Sequence, residues 1–190
     1  DTTSFSLTVN PVNDAPVVES LDISTLEDTP ITIPFDGFDV EGDTLSYSIF
    51  TPPIHGNVED GIYYPDLDFY GLDSLLYNAN DGQLDSEPEM ARINIEPVND
   101  VPIITLIEDQ EIFEDESLEL ILSAQDVDGD ILSYSSYTEN ESIMLDITGN
   151  DLSITLNQDY FGQADIFTIV TDNFLSDTTS FSLTVNPVND

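Results

Sequence analysis

Two stretches of this chain each carry three acids within five residues. They are Asp39-Val40-Glu41-Gly42-Asp43 and Asp126-Val127-Asp128-Gly129-Asp130, 87 residues apart. A plain turn needs only one Asp ahead of its Gly. Three carboxylates this close repel one another unless a cation neutralises them, and a hard cation that takes oxygen ligands is the simplest candidate. The order is not that of an EF-hand, which needs Gly at its sixth position, Glu at its twelfth and flanking helices. Other acids recur in step. Glu27-Asp28 and Glu114-Asp115 share the 87-residue offset, while Asp68 with Asp159 and Asp81 with Asp172 are each 91 apart. Taken one at a time, Glu27 and Glu114 read as solvated loop acids, and Asp81-Gly82 as a hairpin turn. Their recurrence at one place in each copy favours ligation.

The segment Pro-Val-Asn-Asp appears at 11–14, 97–100 and 187–190, at spacings of 86 and 90 residues. A segment that returns at domain-sized intervals is a joint between copies of one module. Its prolines fix φ and hold the preceding residues extended. Between them Asn13 and Asp14, then Asn99 and Asp100, offer an amide and a carboxylate to the same kind of cation. Residues 1–14 and 177–190 are the same fourteen letters. The expected organisation is therefore the last strand and linker of a preceding repeat at 1–14, a first repeat at 15–100 and a second at 101–190. On this reading residues 1–10 are an orphan strand that docks on another copy or leaves Phe5, Leu7 and Val9 exposed.

The elements that must position these acids are short strands. Ile31, Ile33 and Phe35 alternate, as do Leu45, Tyr47 and Ile49, then Leu75, Tyr77 and Ala79. Leu118, Leu120 and Leu122 repeat the first of these runs, and Ile166, Thr168 and Val170 the last. Period-two alternation bounded by Gly, Pro, Asn or Asp reads as strand, and Asp60-Gly61 between Val58 and Ile62 signals a hairpin. No stretch holds a 3.6-residue period with caps. About seven strands per repeat imply an all-β chain of two tandem seven-stranded antiparallel sandwiches.

Composition excludes several functions. Forty acidic residues stand against one basic residue, Arg92, for a net charge of −39, so nucleic acid and anionic membrane surfaces are not direct partners. With no cysteine there is no disulfide, thiolate metal site or thiol nucleophile. The apolar runs are strand-sized, so no membrane insertion is expected. A hydrophobic fraction of 39% in regular alternation argues against a disordered acidic chain. The single histidine, His55, lies in a loop with no counterpart in the second repeat. Tyr63, Tyr64 and Tyr70 offer either a sugar-stacking face or ordinary packing. No carboxylate pair is singled out for glycoside hydrolysis, and no enzyme activity is expected.

Several pieces together resemble the bacterial cadherin-like, Ig-like tandem repeats of large surface and secreted proteins. They are Pro-Val-Asn-Asp-Ala-Pro, Glu-Asp-Thr-Pro at 27–30, Asp-Val-Glu-Gly-Asp-Thr-Leu-Ser-Tyr-Ser-Ile at 39–49, the His-Gly segment at 52–58 and Asp-Phe-Tyr-Gly-Leu-Asp-Ser at 68–74. The resemblance covers the whole chain. It implies exported Ig-like modules strung end to end, stiffened by Ca2+ at the joints and serving adhesion at the cell surface or outside the cell. By similarity to animal cadherins, the central joint would draw on Glu27, Asp68, Asn99, Asp100, Asp126, Asp128 and Asp172. Asn13, Asp14, Asp39, Glu41 and Asp81 would serve the first joint, and Glu114, Asp159, Asn189 and Asp190 the last. Phe69-Tyr70 stands where animal cadherins carry Arg-Glu, and Pro97 where they carry a linker Asp, so one or two ions per joint are expected rather than three. The implied partners are calcium, neighbouring repeats, and other copies or a glycan target. The alternatives are a carbohydrate-binding sandwich and a salt-adapted acidic spacer without specific metal sites.

Overall fold

The computed structural model describes residues 2–10 and 12–189; Asp1, Pro11 and the candidate ligand Asp190 lie outside them. Every regular element among the described residues is a strand. The chain divides into two units, Asp1–Val98 and Asn99–Asp190.

In the first unit, β1 (Val17–Val18) pairs with β4 (Gly37–Phe38). One sheet holds β2 (Leu21–Leu26), β9 (Glu89–Glu96), β8 (Gly71–Asn80) and β5 (Ser46–Thr51), in that order. The opposing sheet holds β3 (Ile31–Thr32), β7 (Ile62–Pro65) and β6 (Gly56–Glu59). The pair β2 and β9 runs parallel and the other pairs antiparallel. The expected seven runs of extended chain are present, but the first two are each broken. Pro34 follows β3 and has no N–H to continue a ladder. At the predicted hairpin, Asp60 and Gly61 both take positive φ, 50° and 76°, the geometry of the two-residue turn that matches strand twist.

The second unit repeats this plan. There β10 (Ile103–Ile104) pairs with β13 (Ala124–Gln125). One sheet is β11 (Gln110–Phe113), β18 (Ser176–Asn186), β17 (Gly162–Thr171) and β14 (Ser133–Tyr137). The other is β12 (Leu118–Ile121), β16 (Asp151–Leu156) and β15 (Ile143–Thr148). The inward residues of each sandwich form its core: Tyr77, Ala79, Ile93 and Ile95 in the first unit, Leu152, Ile166, Leu183 and Val185 in the second.

The two cores are filled differently. In the first unit Tyr77 is fully buried, its ring 4.9 Å from Phe35, and its hydroxyl donates to the Glu19 and Asp36 carbonyls at 2.5 and 3.2 Å. The repeat offsets put Thr168 of the second unit at Tyr77 and Ser136 at Ile49. Ser136 and Thr168 face one another across β14 and β17, and neither buried hydroxyl finds a protein partner. A buried unpaired hydroxyl costs about 1–3 kcal/mol. Thr168→Val, which keeps the shape and removes the polar atom, should therefore raise the melting temperature of the second unit. A fall, read by thermal denaturation, would mean that the hydroxyl is satisfied by bridging solvent.

Candidate cation-binding poles

Strand direction gathers the recurring acids at the two ends of each unit. In the first unit Leu26 pairs with Glu96 and Gly71 with Ile95, which brings Glu27, Asp28 and Asp68 to one end. Ser46 pairs with Asn80, which brings the 39–43 loop and Asp81 to the other. The second unit does the same with Glu114, Asp115 and Asp159 at its base, and the 126–130 loop and Asp172 at its head.

The heads are built alike. Asn13 Nδ2 donates to Asp81 Oδ2 at 2.8 Å, and Asn99 Nδ2 donates to Asp172 Oδ2 at 2.8 Å. The other oxygen of Asp81 accepts the Gln83 and Leu84 N–H groups at 2.6 and 2.7 Å. That of Asp172 accepts Phe174 and Leu175 at 2.6 and 2.7 Å. These bonds favour the charged form. The Leu84 and Gln83 amides with Asn13 hold Asp81 below the ordinary carboxylate value, and the Asn99 amide, followed by the Leu175 and Phe174 N–H groups, does so for Asp172. The second linker residue also reaches the acid loop: Asp14 N–H donates to Glu41 at 3.3 Å, and Asp100 N–H to Asp128 at 2.7 Å.

Within each acid loop the first Asp folds the backbone around itself. Asp39 Oδ1 accepts the Glu41 and Asp43 N–H groups, both at 3.0 Å, and Asp126 Oδ1 accepts that of Asp130 at 3.1 Å. The second oxygen of each, Asp39 Oδ2 and Asp126 Oδ2, is buried and receives no hydrogen bond from the protein. One oxygen each of Asp126, Asp128 and Asp130 lies within 4.8 Å of the others. No basic side chain serves them. Arg92 is the sole Lys or Arg, and it sits 3.5 Å from Asp22 on the sheet face. An oxygen-only donor set with a buried, unpaired carboxylate oxygen suits a hard divalent cation.

The bases are equally alike. Glu27 and Glu114 are buried, 3% and 6% exposed. Each accepts a linker amide: Val98 N–H on Glu27 Oε1, and Val188 N–H on Glu114 Oε1 at 2.6 Å. Glu27 Oε2 is buried without a protein partner. Asp28, Asp68, Asp115 and Asp159 all take left-handed φ, between 55° and 67°, which Asp tolerates better than most residues. Asp68 N–H donates to Asp28 Oδ1 at 3.1 Å, which fixes one base acid on another.

The candidate ligands are thus gathered at poles, with Glu27 and Asp68 at a base and the linker, loop and turn residues at heads. Asp190 is outside the described residues. Asp28, Asp43 and Asp130 lie at these poles too, outside the expected ligand set: Asp28 offers an oxygen beside Asp68, and Asp130 beside Asp126 and Asp128, while Asp43 gives its N–H to Asp39; their recurrence was the sequence signal for them.

One acid without a counterpart proves to be a structural anchor. Asp73 is 6% exposed and accepts from Ile54 N–H, His55 N–H, Ser74 N–H and the Tyr63 hydroxyl, at 3.1, 2.9, 2.8 and 2.8 Å. Burial alone would raise its pKa, but the bonds from Ile54, Tyr63, Ser74 and His55 outweigh it and hold the value below the ordinary one. Tyr63 is fully buried, so it belongs to the core and to no sugar-stacking face, whereas Tyr64 and Tyr70 are exposed. His55 stacks on Phe69 at 3.9 Å.

The model of the bacterial Ig domain family matches residues 13–94 and again 99–186. The chain belongs to that family, as two tandem domains. No curated protein sequence matches it. Among solved structures it is similar to human protocadherin-24 EC1-2, at 14% identity and a TM-score of 0.53, over 94% of this chain and 100% of that one. It is similar also to human mucin-like protocadherin EC1-2, at 18% identity and a TM-score of 0.51, over 91% and 98%. It aligns as well with an endo-fucoidan hydrolase of glycoside hydrolase family 107, of which it spans 30%, at 16% identity and a TM-score of 0.40. The expected cadherin-like, Ig-like tandem fold is therefore confirmed. No helix among the described residues is long and apolar enough to cross a membrane.

Proposed function

We propose that this chain is a non-catalytic, calcium-binding spacer of a bacterial surface or secreted adhesion protein, with residues 1–14 the tail strand and linker of a further repeat. One observation carries the reading. In both units the first Asp of the acid loop buries a carboxylate oxygen that no protein donor reaches, in a chain whose single Lys or Arg, Arg92, pairs with Asp22. Asn13, Asp14, Asp39, Glu41 and Asp81 supply oxygens at one head, and Asn99, Asp100, Asp126, Asp128 and Asp172 at the other. Glu27 and Asp68 supply oxygens at a base. Calcium takes six to eight oxygens, and magnesium fits such all-protein cages poorly.

The test is a thermal melt in calcium, in equal magnesium and in chelator. A ligand at a hundred times its Kd stabilises by about 2.7 kcal/mol, so calcium should raise the melting temperature by several degrees where magnesium does not. Asp39→Asn combined with Asp126→Asn should abolish the difference. Equal shifts in both salts would overturn specific sites and favour the salt-adapted spacer. Stiffening of the array is read by small-angle scattering: calcium should narrow the spread of the maximum dimension, and Asp100→Ala with Asp126→Ala should remove that effect.

A further inference from the structure

We propose that the second unit binds a protonated amino sugar in a groove on the outer face of the sheet that contains β14 and β17. Along β17 the outward residues are Gln163, Asp165 and Phe167. Tyr137 pairs with Phe167 across the strands, and their rings stack with centroids 4.7 Å apart and planes within 8°. Tyr137 remains 47% exposed. The 138–142 loop lies beside β17, and between them runs an open groove of about 570 Å³ whose lining includes Glu139, Glu141, Gln163, Asp165 and Phe167. That volume falls in the range of small-ligand sites.

The loop is pre-organised. Thr138 Oγ1 donates to the Asp165 carbonyl at 2.9 Å. Asn140 Nδ2 donates to the Tyr160 hydroxyl at 2.7 Å, and Asn140 Oδ1 accepts Ser142 N–H at 3.0 Å. These bonds use the Thr138 hydroxyl hydrogen and one of the two Asn140 amide hydrogens. Gln163 likewise commits one amide N–H to Ser182 Oγ at 2.8 Å and keeps its carbonyl oxygen. Acceptors dominate the groove: the Gln163 carbonyl and the carboxylates of Glu139, Glu141 and Asp165 outweigh the Ser142 hydroxyl and the second N–H of Asn140 and of Gln163.

A site dominated by carboxylate acceptors favours a cationic ligand rich in donors. Three carboxylates repel sulfated and uronic sugars and attract an ammonium group, while the aromatic pair suits a cation or the apolar face of a sugar ring. A linear polyamine has the charge but neither the ring nor the hydroxyls. At the equivalent positions the first unit carries Phe50, Leu72, Ser74 and Leu76 in place of Tyr137, Gln163, Asp165 and Phe167. It lacks the acceptors, and a register shift between Ile49 and Thr51 sets Leu76 opposite Thr51 rather than Phe50, so it is an internal control.

The experiment titrates the full chain with a glucosamine tetramer, its fully N-acetylated form and spermidine, at physiological salt in chelator, by calorimetry and NMR. The amino-sugar tetramer should bind once per chain and shift the Tyr137 and Phe167 ring signals. Asp165→Asn and Phe167→Leu should each weaken it at least fivefold with the second unit's melting temperature retained. The acetylated tetramer and spermidine should bind at least tenfold more weakly. Shifts spread over the acids of both units without fixed stoichiometry would reduce the effect to bulk charge and overturn the proposal. So would unchanged affinity in folded Asp165→Asn, or equal binding of spermidine or of the acetylated sugar. Because the titration runs without calcium, its result is independent of the cation-binding reading.

Discussion

Phe181→Ala should destabilise the second unit by about 3–5 kcal/mol, the usual cost of emptying a buried phenylalanine site. Phe5→Ala should leave stability within a few tenths of a kcal/mol of the parent, as for a surface change. Yet the two phenylalanines sit in the same fourteen-residue sequence. Phe181 lies in β18, 3% exposed, between β11 and β17. Phe5 is 90% exposed in a stretch with no strand. Leu183 and Val185 are buried where Leu7 and Val9 are exposed. Urea denaturation of the two variants and the parent would measure both effects. Equal losses would mean that the arm packs onto a unit. Deleting residues 1–10 should likewise leave both melting transitions in place.

Asp73→Ala should destabilise the first unit by about 2–4 kcal/mol, because it strands buried donors that each lose about 1–3 kcal/mol of satisfaction, partly regained from water. The second unit should melt unchanged, since Ala164 already occupies the equivalent position. Differential scanning calorimetry would resolve the two. The same contact has a pH signature. The folded-state pKa of Asp73 lies below its ordinary value, so its contribution is fully present above that ordinary value. It disappears as pH falls through the depressed folded one. Acid titration of Asp73→Asn should lack this component, and an unchanged acid limb would show that the carboxylate does not anchor the 52–56 loop.

The fold was legible because both repeats spell the same alternation. Ile31 with Ile33 and Leu118 with Leu120 mark the same strand, and Asp60-Gly61 names its own turn. The poles were legible for a related reason: Asn99, Asp126 and Asp172 each recur at a near-constant offset, and strand direction then decides which end they share. Asp73 was not legible. Its partners are the backbone of Ile54 and His55 and the hydroxyl of Tyr63, joined by packing of two strands and a loop, and it repeats nowhere. The groove was hidden likewise, since Phe167 and the 138–142 loop meet only once β14 and β17 pair. The arm marks the limit of local reading. Its letters are those of a strand, but alternation supplies a strand only where a sheet stands ready to receive it.

The parallel pairing of β2 with β9 has a mechanical consequence. These strands lie next to the unit's entry and exit points, and they run side by side from Leu21 with Ala91 to Leu26 with Glu96. A tension applied through the ends of the unit pulls β2 toward its start and β9 toward its finish. The two strands are then drawn past each other along their length, so their hydrogen bonds share the load as a row rather than parting one at a time as in a zipper. The pair β11 and β18 repeats the arrangement. Each unit therefore carries a shear clamp between its own entry and exit points, and it would resist such a pull up to the strength of that clamp.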